Sequence, residues 1–402
     1  MRDVIFLGFC IDFNDFVRYS KTDKFSQTAA WKLESRYVAG LIDAGCAVTS
    51  IVSFAASTYP GNSKIFFGFS ADMKPLHRTR LTVAFINLPG VKLLTRLLST
   101  LMVITYALIA KPRSSSVVIY SLHMPYVIAG LLAKFVFQRK VFVIAPDMPI
   151  YMRTGYGGNK LVSILKIIDS KILRFASGFF DGACFICSAM QKEFPALSAN
   201  SVIIDGIVDV TTLIHLPERT VNEVADTKVV LYTGMLTESY GVKLLVKAID
   251  FLPSNFEIWI AGAGELANYI KQAGIRDARV KYLGLLTAAE LSTAYSQTTL
   301  LINPRLLHES FVAFSFPSKL LEYLSTGIPV LTSKLPSIQD DLVPFLNFIN
   351  DVTARGIASA IQSSCLLNYS SAVKVAGHAK SYVLATRSPK IQAEKLLSLM
   401  DS

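Results

Sequence analysis

Charged side chains that could bind a phosphorylated sugar are concentrated between residues 303 and 332. The stretch contains Arg305, Glu309, Lys319 and Glu322 among small and apolar residues. Basic side chains attract the oxygens of a diphosphate, and carboxylates accept hydrogen bonds from sugar hydroxyls. An ordinary capped core helix would leave this concentration of charge without a role, so the stretch predicts a binding site for a nucleotide sugar.

The same stretch carries the local signals of a loop, a helix and a strand. Pro317 suits the start of a helix, Ser318 can cap its first turn, and Gly327 can end it in a left-handed conformation. The apolar residues 328–332 then predict a short strand. We expect the free N–H groups and the positive dipole end of this helix to bind phosphate.

Residues 316–330 resemble the donor-site signature of glycosyltransferase family 4, a group with the GT-B fold. Glu322 matches the second Glu of that signature, and residues 327–330 match its end. The first Glu of the signature is replaced by Phe314. The family's usual two-carboxylate motif is therefore present only in its second half.

A bacterial surface-polysaccharide subgroup of this family is more similar to the chain. In that subgroup Asn-Pro-Arg and a Glu precede Ser-Phe-Pro-Ser-Lys, which correspond here to residues 303–305, Glu309 and residues 315–319. The resemblance implies an α/β chain of two Rossmann-like domains whose parallel sheets face each other across a cleft. It also implies a retaining hexosyltransferase that needs no metal and no cofactor, and that uses a nucleotide-diphosphate sugar and a glycolipid or lipid-linked acceptor.

The resemblance assigns roles to individual residues. Arg305 and Lys319 would stabilise the leaving diphosphate, and Glu322 would bind donor hydroxyls. The implied donor-binding positions are Gly234, Met235, Gly262, Gly264, Leu283, Gly284, Leu285, Glu309, Ser315, Pro317 and Ser318. Met235 and Tyr240 stand where the family usually has an Arg and a Lys, so Arg305 and Lys319 are the cations left to meet the charge of the diphosphate.

Asp147 is the candidate catalytic residue of the first half. It follows a predicted strand, residues 140–145, in a Pro-Asp-Met-Pro segment similar to one of the subgroup. Parallel sheets place functional residues at the carboxyl ends of their strands. Asp147 either orients or deprotonates the acceptor hydroxyl, or it caps a turn before proline, which Asp often does for local reasons.

The composition is that of a folded chain with two cores. Its 402 residues are 52% hydrophobic, which disfavours disorder. The five cysteines are odd in number and unevenly spread, which indicates reduced thiols in a cytoplasm. Cys184 and Cys187 fall on opposite faces of one predicted strand, residues 181–188, which disfavours a metal or redox pair. The short apolar run at residues 4–8 predicts a buried strand rather than a cleavable signal peptide.

The excess of basic residues lies in the first half. Residues 1–205 contain 23 Lys and Arg against 12 Asp and Glu, and residues 206–402 contain 17 of each. Basic residues alternate with long apolar runs over residues 60–113, which predicts docking on an anionic membrane from the cytoplasmic side. The uncharged centre of the predicted helix 93–110 has 14 residues, too few to span a bilayer. The apolar setting disfavours nucleic acid, the other partner of basic surfaces.

Alternating strand and helix signals predict the domain boundaries. They place a first domain at residues 1–216, a hinge at residues 217–227 and a second domain at residues 228–375. The resemblance implies that the first domain faces the acceptor and the membrane and that the second binds the nucleotide sugar. A last helix within residues 376–402 is expected to cross back onto the first domain.

Two other functions remain open at the level of sequence. A nucleotide-sugar epimerase can share this fold and needs no membrane surface. A non-catalytic subunit that binds a nucleotide sugar is the second alternative, because the first Glu of the family signature is missing.

Overall fold

A computed structural model describes residues 1–24, 27–74, 78–148, 160–208, 226–308, 312–367 and 369–402. Within these ranges the chain forms two compact units. The first consists of residues 1–207 with 389–402, and the second of residues 208–388. Each unit is built on its own large sheet.

The strands follow one another along the chain with helices between most of them. They are β1 (Arg2–Gly8), β2 (Cys46–Val52), β3 (Phe66–Phe67), β4 (Ser70–Lys74), β5 (Arg78–Thr82), β6 (Phe85–Ile86), β7 (Ser116–Tyr120), β8 (Val141–Ala145), β9 (Gly182–Phe185), β10 (Ser201–Ile203), β11 (Lys228–Thr233), β12 (Phe256–Ala261), β13 (Val280–Gly284), β14 (Leu300–Asn303), β15 (Val330–Ser333) and β16 (Asn347–Ile349).

The helices of the described ranges are mostly amphipathic. They are α1 (Phe13–Ser20), α2 (Thr28–Asp43), α3 (Lys92–Ala110), α4 (Met124–Phe135), α5 (Lys160–Ser177), α6 (Ser188–Glu193), α7 (Pro195–Ser198), α8 (Val242–Ala248), α9 (Ala267–Arg276), α10 (Ala288–Gln297), α11 (Ser318–Thr326), α12 (Ala354–Gln362), α13 (Tyr369–Thr386) and α14 (Pro389–Asp401).

The sheet of the first unit has the strand order β10-β9-β8-β7-β1-β2-β5-β4. All its pairs are parallel except the edge pair of β4 with β5. The chain moves from β1 to β2 through α2 in one direction, and from β5 through β7 and β8 to β9 in the other. Because such crossovers are right-handed, α3, α4 and α5 lie on the face opposite to α2. Helices on both faces explain why the central strands are continuous apolar runs.

The sheet of the second unit has the order β13-β12-β11-β14-β15-β16, with parallel pairs throughout. Its core is formed by apolar residues of the central strands and of α8, α9 and α12, for example Val230, Ile258 and Ile357. The carboxyl ends of β11, β12, β13 and β14 meet at one edge of this sheet. That edge carries the predicted donor-binding residues that lie at the ends of β11, β12 and β13.

The last helix, α14, belongs to the first unit. Its residues Ala393 and Leu396 are buried in the core of that unit, against α2. A Cβ on Gly40 would lie 2.1 Å from the carbonyl oxygen of Pro389, so the close approach of α2 to α14 requires glycine there.

The unit boundaries differ from the predicted ones. The first unit ends at Ile207, nine residues before the predicted end, and the second extends to Ser388, thirteen residues beyond its predicted end. The second extends further because α13 packs on α11, and because Arg387 donates to both carboxylate oxygens of Asp341 at 3.0 and 2.8 Å. Most of the predicted hinge, residues 217–225, lies outside the described residues.

The local structure of the first half differs from its sequence pattern in three places. Residues 12–27 have the polar composition of a loop but contain α1, which Asp12 caps by accepting a hydrogen bond from the Asn14 N–H. The predicted strand 181–188 ends at Phe185, and Cys187 instead precedes α6. The basic stretch before α3 contains the β3–β6 ribbon and the antiparallel edge pair, whose short strands have too little pattern to be recognised.

Candidate functional site

Three glycine-containing turns are layered on one another at the carboxyl edge of the second sheet. Gly234 follows β11, Gly262 follows β12, and Gly284 ends β13. The Gly234 N–H donates to the Ala261 carbonyl at 3.0 Å, and the Gly262 N–H donates to the Gly284 carbonyl at 2.7 Å. These bonds hold the predicted donor-binding turns in fixed register.

Glycine is required where these turns touch. Gly262 has φ 141°, and a Cβ there would lie 1.8 Å from the Gly234 carbonyl oxygen. A Cβ on Gly264 would lie 2.4 Å from the Leu236 carbonyl oxygen. The Gly-x-Gly of this turn is therefore explained by backbone packing, and it presents main chain rather than side chains at the edge.

Three apolar members of the predicted set lie at the rim of this edge. Met235 and Leu285 are exposed, and Leu283 is half-buried. Leu285 is 79% exposed. An exposed leucine beside a glycine turn can contact the flat face of a bound base.

A second close approach places Arg305 beside Tyr240. Gly241 has φ 73°, and a Cβ there would lie 1.8 Å from the Pro304 carbonyl oxygen, so the turn after β11 packs against the loop after β14. The Arg305 Cζ atom lies 4.4 Å from the centroid of the Tyr240 ring. This is the geometry of a cation–π contact.

Arg305 is buried but keeps unused hydrogen-bonding capacity. It is 5% exposed, one of its terminal nitrogens lies 3.4 Å from the Ser315 Oγ atom, and its Nε–H has no partner in the described part of the chain. The structure therefore brings Arg305 and Ser315 together at the start of α11. Glu309, a predicted donor-binding residue, lies outside the described residues.

Lys319 and Glu322 form an ion pair on the first turn of α11. The Lys319 Nζ atom lies 2.8 Å from each carboxylate oxygen of Glu322. The sequence predicted separate roles for the two groups, and it did not predict this pairing, although the i, i+3 spacing allows it. Both side chains remain partly exposed, so the pair is accessible to a ligand.

Two buried tyrosines that the sequence analysis missed position α11. The Tyr295 hydroxyl donates to Glu322 Oε1 at 2.8 Å. The Tyr323 hydroxyl accepts from the Thr233 N–H at 2.8 Å and donates to the Thr233 carbonyl at 3.1 Å, which fixes α11 to the end of β11. Burial raises the pKa of Tyr323 above its usual range, so the hydroxyl stays protonated. In the sequence, each of these residues is a tyrosine within an apolar helical pattern. Its hydroxyl group, which needs a hydrogen-bond partner when buried, was the only sign of a positioning role.

Replacing Tyr295 with phenylalanine is expected to raise the donor KM about fivefold, since one hydrogen bond to a charged acceptor that positions Glu322 is lost. Steady-state kinetics with the cognate donor measures it. Tyr382→Phe is the matched control, because its hydroxyl also donates to a carboxylate, Asp341, at 2.7 Å, away from this edge. Equal changes in both variants would contradict a positioning role for Tyr295.

The start of α11 differs in detail from the prediction. Pro317 occupies the N-cap position, no side chain caps the helix, and Ser318 is its exposed first residue. Proline at this position cannot supply a capping oxygen, which leaves the N–H groups of the first turn without a side-chain acceptor. Phe314, which replaces the family's first Glu, lies in a short 3-10 turn, Val312–Phe314.

Asp147 lies at the carboxyl end of β8 in the first unit. Its side chain is exposed, although the surrounding protein raises its pKa to about 6 by desolvation. The Pro149 that would make Asp147 a turn cap lies outside the described residues.

No group of three or more His, Cys, Asp or Glu side chains is arranged to hold a metal ion in the part of the chain that the structure describes. The five cysteines are buried and unpaired by disulfides. The polar groups of the second unit's edge are the cation, carboxylate, hydroxyl and main-chain groups described above. Such groups suit a phosphorylated, hydroxyl-rich ligand.

Comparison with known proteins gives one family match. Residues 227–363 match the model of the family described as glycosyl transferases group 1. An uncharacterized glycosyltransferase of Methanocaldococcus jannaschii is 26% identical over 128 residues, which are 30% of this chain and 31% of that protein. The alignment thus spans about a third of the length of the relative.

Solved structures resemble the chain over its whole length. A HepE protein of Anabaena in complex with UDP and glucose has a TM-score of 0.62 at 15% identity, with 100% of each chain covered. The lipopolysaccharide outer core galactosyltransferase WaaB has a TM-score of 0.61 at 14% identity, with 99% of each chain covered. At these identities the likeness shows the fold, which is GT-B, as the sequence predicted.

Proposed function

We propose that this chain, whose residues 227–363 form a glycosyl transferases group 1 domain on a GT-B fold, transfers a sugar from a nucleotide-diphosphate sugar to an acceptor. The observation that carries the proposal is the assembled edge of the second sheet. There Arg305, the ion pair on α11 and the glycine turns are held together by the contacts of Tyr240, Tyr295 and Tyr323.

Each group has a role in the proposed reaction. The bond from the anomeric carbon to the diphosphate breaks, and the bond to the acceptor oxygen forms. Arg305, Lys319 and the free N–H groups of α11 stabilise the negative charge that develops on the leaving diphosphate. Glu322 accepts hydrogen bonds from donor hydroxyls, and Asp147 takes the acceptor proton. We propose retention of the anomeric configuration and turnover without a metal.

The acceptor is proposed to be a glycolipid or lipid-linked saccharide in bacterial polysaccharide biosynthesis. Support comes from the resemblance of residues 315–319 to the polysaccharide subgroup and from the similarity to a lipopolysaccharide galactosyltransferase. We propose that the protein reaches this acceptor as a peripheral protein on the inner face of the plasma membrane. The basic excess of the first half suits an anionic lipid surface.

Thermal-shift screening against a panel of nucleotide sugars tests the proposal. A cognate donor stabilises the folded state by mass action, so one or a few nucleotide sugars should raise the unfolding temperature in buffer with a chelator. Protection that appears only after a divalent metal is added would contradict metal independence. Conversion of the bound donor to an epimer without acceptor would contradict transfer.

Replacing Glu322 with glutamine is expected to raise the donor KM about tenfold, because a charge-assisted acceptor for hydroxyls is replaced by a neutral one. Kinetics with the donor found in the screen measures it. Glu257→Gln is the matched control, since Glu257 is held by Lys281 at 2.7 Å and by the Trp259 ring N–H at 2.7 Å. If Glu322→Gln had the kinetics of the wild type, the proposed role of Glu322 in donor binding would be wrong.

A further inference from the structure

The first unit has an apolar outer surface on the face of its sheet that α3, α4 and α5 cover. These helices are consecutive neighbours, with α4 in contact with both α3 and α5. In an ordinary surface helix the solvent side is polar. On α3 and α5, the side that faces solvent carries a stripe of apolar residues instead.

Helix α3 is apolar on both sides. Val103, Ile104 and Leu108 are buried on its inner side. Its outer side carries a stripe with helical spacing whose members are 56–72% exposed: Leu94, Leu98, Met102, Tyr106 and Ile109. The stripe is about 22 Å long at 1.5 Å per residue. A helix that is apolar all round is stable only if both sides are covered.

Lys92–Ala110 is the one helix within the described ranges that is long and apolar enough to cross a membrane, by length and composition. Arg96 on its inner side is buried and donates to the Phe54 carbonyl at 2.9 Å. Its packing against α4 holds it along the surface of the unit. The helix therefore lies on the fold rather than apart from it.

Helix α5 repeats the pattern at the other side of the same layer. Its inner residues Leu173 and Ala176 are buried. Its outer stripe is 47–73% exposed and consists of Ile164, Leu165, Ile168, Ile172 and Phe175. Lys166 and Lys171 stand beside this stripe, and the one acidic residue of the three helices is Asp169.

Exposed aromatic rings join the two helices that follow α3. The Phe179 ring lies 5.7 Å from that of Phe135 at the end of α4 and 5.3 Å from that of Phe175 in α5. All three phenylalanines are exposed, as is Val136. The apolar outer surface is therefore continuous from α4 to α5.

We propose that the outer surface of α3, α4 and α5, here called the apolar face, docks flat on an anionic bilayer. The stripes enter the boundary between headgroups and acyl chains, and Lys166 and Lys171 reach the phosphates while their stems lie on the apolar surface. The predicted docking segment, residues 60–113, contains α3 but not α5. The structure thus extends the docking surface beyond the predicted segment, to α5.

Charge complementarity favours an anionic lipid surface over a second copy of the chain as the partner of the apolar face. On the outer side, Lys166 and Lys171 stand beside the stripe of α5, and the first half of the chain as a whole carries 23 Lys and Arg against 12 Asp and Glu. Two copies seated face to face would bring two such basic surfaces together, whereas an anionic bilayer is complementary to them. The proposal rests on the proposed function, since a lipid-linked acceptor lies in such a bilayer.

Flotation of the full chain with vesicles tests the proposal. One vesicle is phosphatidylcholine alone, and the other has equal parts of phosphatidylcholine and phosphatidylglycerol. The variants are Met102→Glu with Tyr106→Glu on α3, and Ile168→Glu with Ile172→Glu on α5. Ile275→Glu is the matched control, since Ile275 is 78% exposed on α9 of the second unit. Thermal shift with nucleotide sugars on the same proteins keeps donor binding separate from docking.

We expect the wild type and the control to float with the anionic vesicles at low salt, and each double variant to lose about tenfold in partition. Donor protection should be unchanged in all of them. Equal flotation of the α5 variant and the wild type would overturn the proposal, as would equal recovery on neutral and anionic vesicles. A wild type that is a dimer and does not float, with monomeric variants, would show that a second copy covers the apolar face.

Discussion

Turnover is expected to fall about a hundredfold when Arg305 is replaced by lysine, and by a similar factor when Lys319 is replaced by alanine. Lys319 lies in the first turn of α11, and Arg305, in the loop after β14, reaches Ser315 just before that helix. The proposed leaving diphosphate gains negative charge there. Losing one preorganised group that stabilises developing charge typically has this effect, about 3 kcal/mol in the barrier.

The packing of Arg305 explains why lysine cannot replace it. The guanidinium lies 4.4 Å from the centroid of the Tyr240 ring and reaches Ser315 with one terminal nitrogen. A planar fork can stack on the ring and still offer N–H groups to two phosphate oxygens, whereas an ammonium is a compact point charge. Lysine keeps the charge of Arg305 but loses both the stacking and the bidentate contact.

Steady-state kinetics, corrected for the folded fraction, measures these effects. Arg355→Lys is the control for Arg305, because Arg355 also lies over an aromatic ring, 5.1 Å from the centroid of Phe251. Glu309→Gln tests the alternative that Arg305 only pairs with Glu309. If the Arg305 and Glu309 variants lose stability while turnover per folded molecule is unchanged in all three, the leaving-group charge is met elsewhere.

The structure places a cation at this edge although the pair of cations that is usual in the resembled family is absent from the sequence. Tyr240 stands where the family has a lysine, and the sequence could only note the missing charge. In the fold, the Tyr240 ring, in the turn after β11, makes a cation–π contact with the guanidinium of Arg305. The cation thus comes from the loop after β14 instead of the turn after β11.

Local patterns in the second half predicted its elements well. Residues 256–261 carry the apolar run of a buried strand and form β12, and Thr287 and Glu290 have the spacing of a capping box and form one at the start of α10. Gly327 ends α11 with φ 77° as expected. Buried parallel strands, caps and left-handed glycines are determined by residues close in sequence, so a sequence analysis can find them.

Contacts between distant residues could not be predicted in this way. The bond from Tyr295 to Glu322 joins two helices, and its donor is one tyrosine among the 16 in the chain. The apolar face was missed for a related reason. An apolar stripe on α5 looks the same in sequence whether it is buried or exposed, and only the placement of the neighbouring helices distinguishes the two.

The second large effect concerns Glu34, a buried carboxyl group in α2 of the first unit. Its Oε1 atom accepts from the N–H groups of Phe9 and Cys10 at 2.7 and 2.8 Å, just after β1. Its Oε2 atom is buried and has no hydrogen-bond partner in the described ranges. Burial outweighs the two backbone hydrogen bonds and raises the pKa of Glu34 to about 8.

The sign of the pH effect follows from this raised pKa. In the unfolded chain the pKa of Glu34 is near the ordinary value of 4.5, whereas in the folded chain burial raises its pKa to about 8. Its contribution to stability is therefore fully present below pH 4.5 and is lost as the pH rises to about 8. Each unit of pKa difference corresponds to about 1.4 kcal/mol, so the loss is on the order of several kcal/mol.

Glu34→Gln is expected to remove this loss, because the amide oxygen can accept the same two N–H groups and cannot ionise. The free energy of unfolding in urea, measured at pH 5 and pH 9, should shift in favour of the variant by several kcal/mol between the two. Burial raises the pKa values of the neighbouring Cys10, Tyr120 and Tyr126, so these groups stay protonated over the range, and they are common to both proteins. Glu394→Gln, at an exposed position of α14, is the control. A difference between wild type and Glu34→Gln that is the same at both pH values would show that Glu34 is already ionised in the folded protein at pH 5.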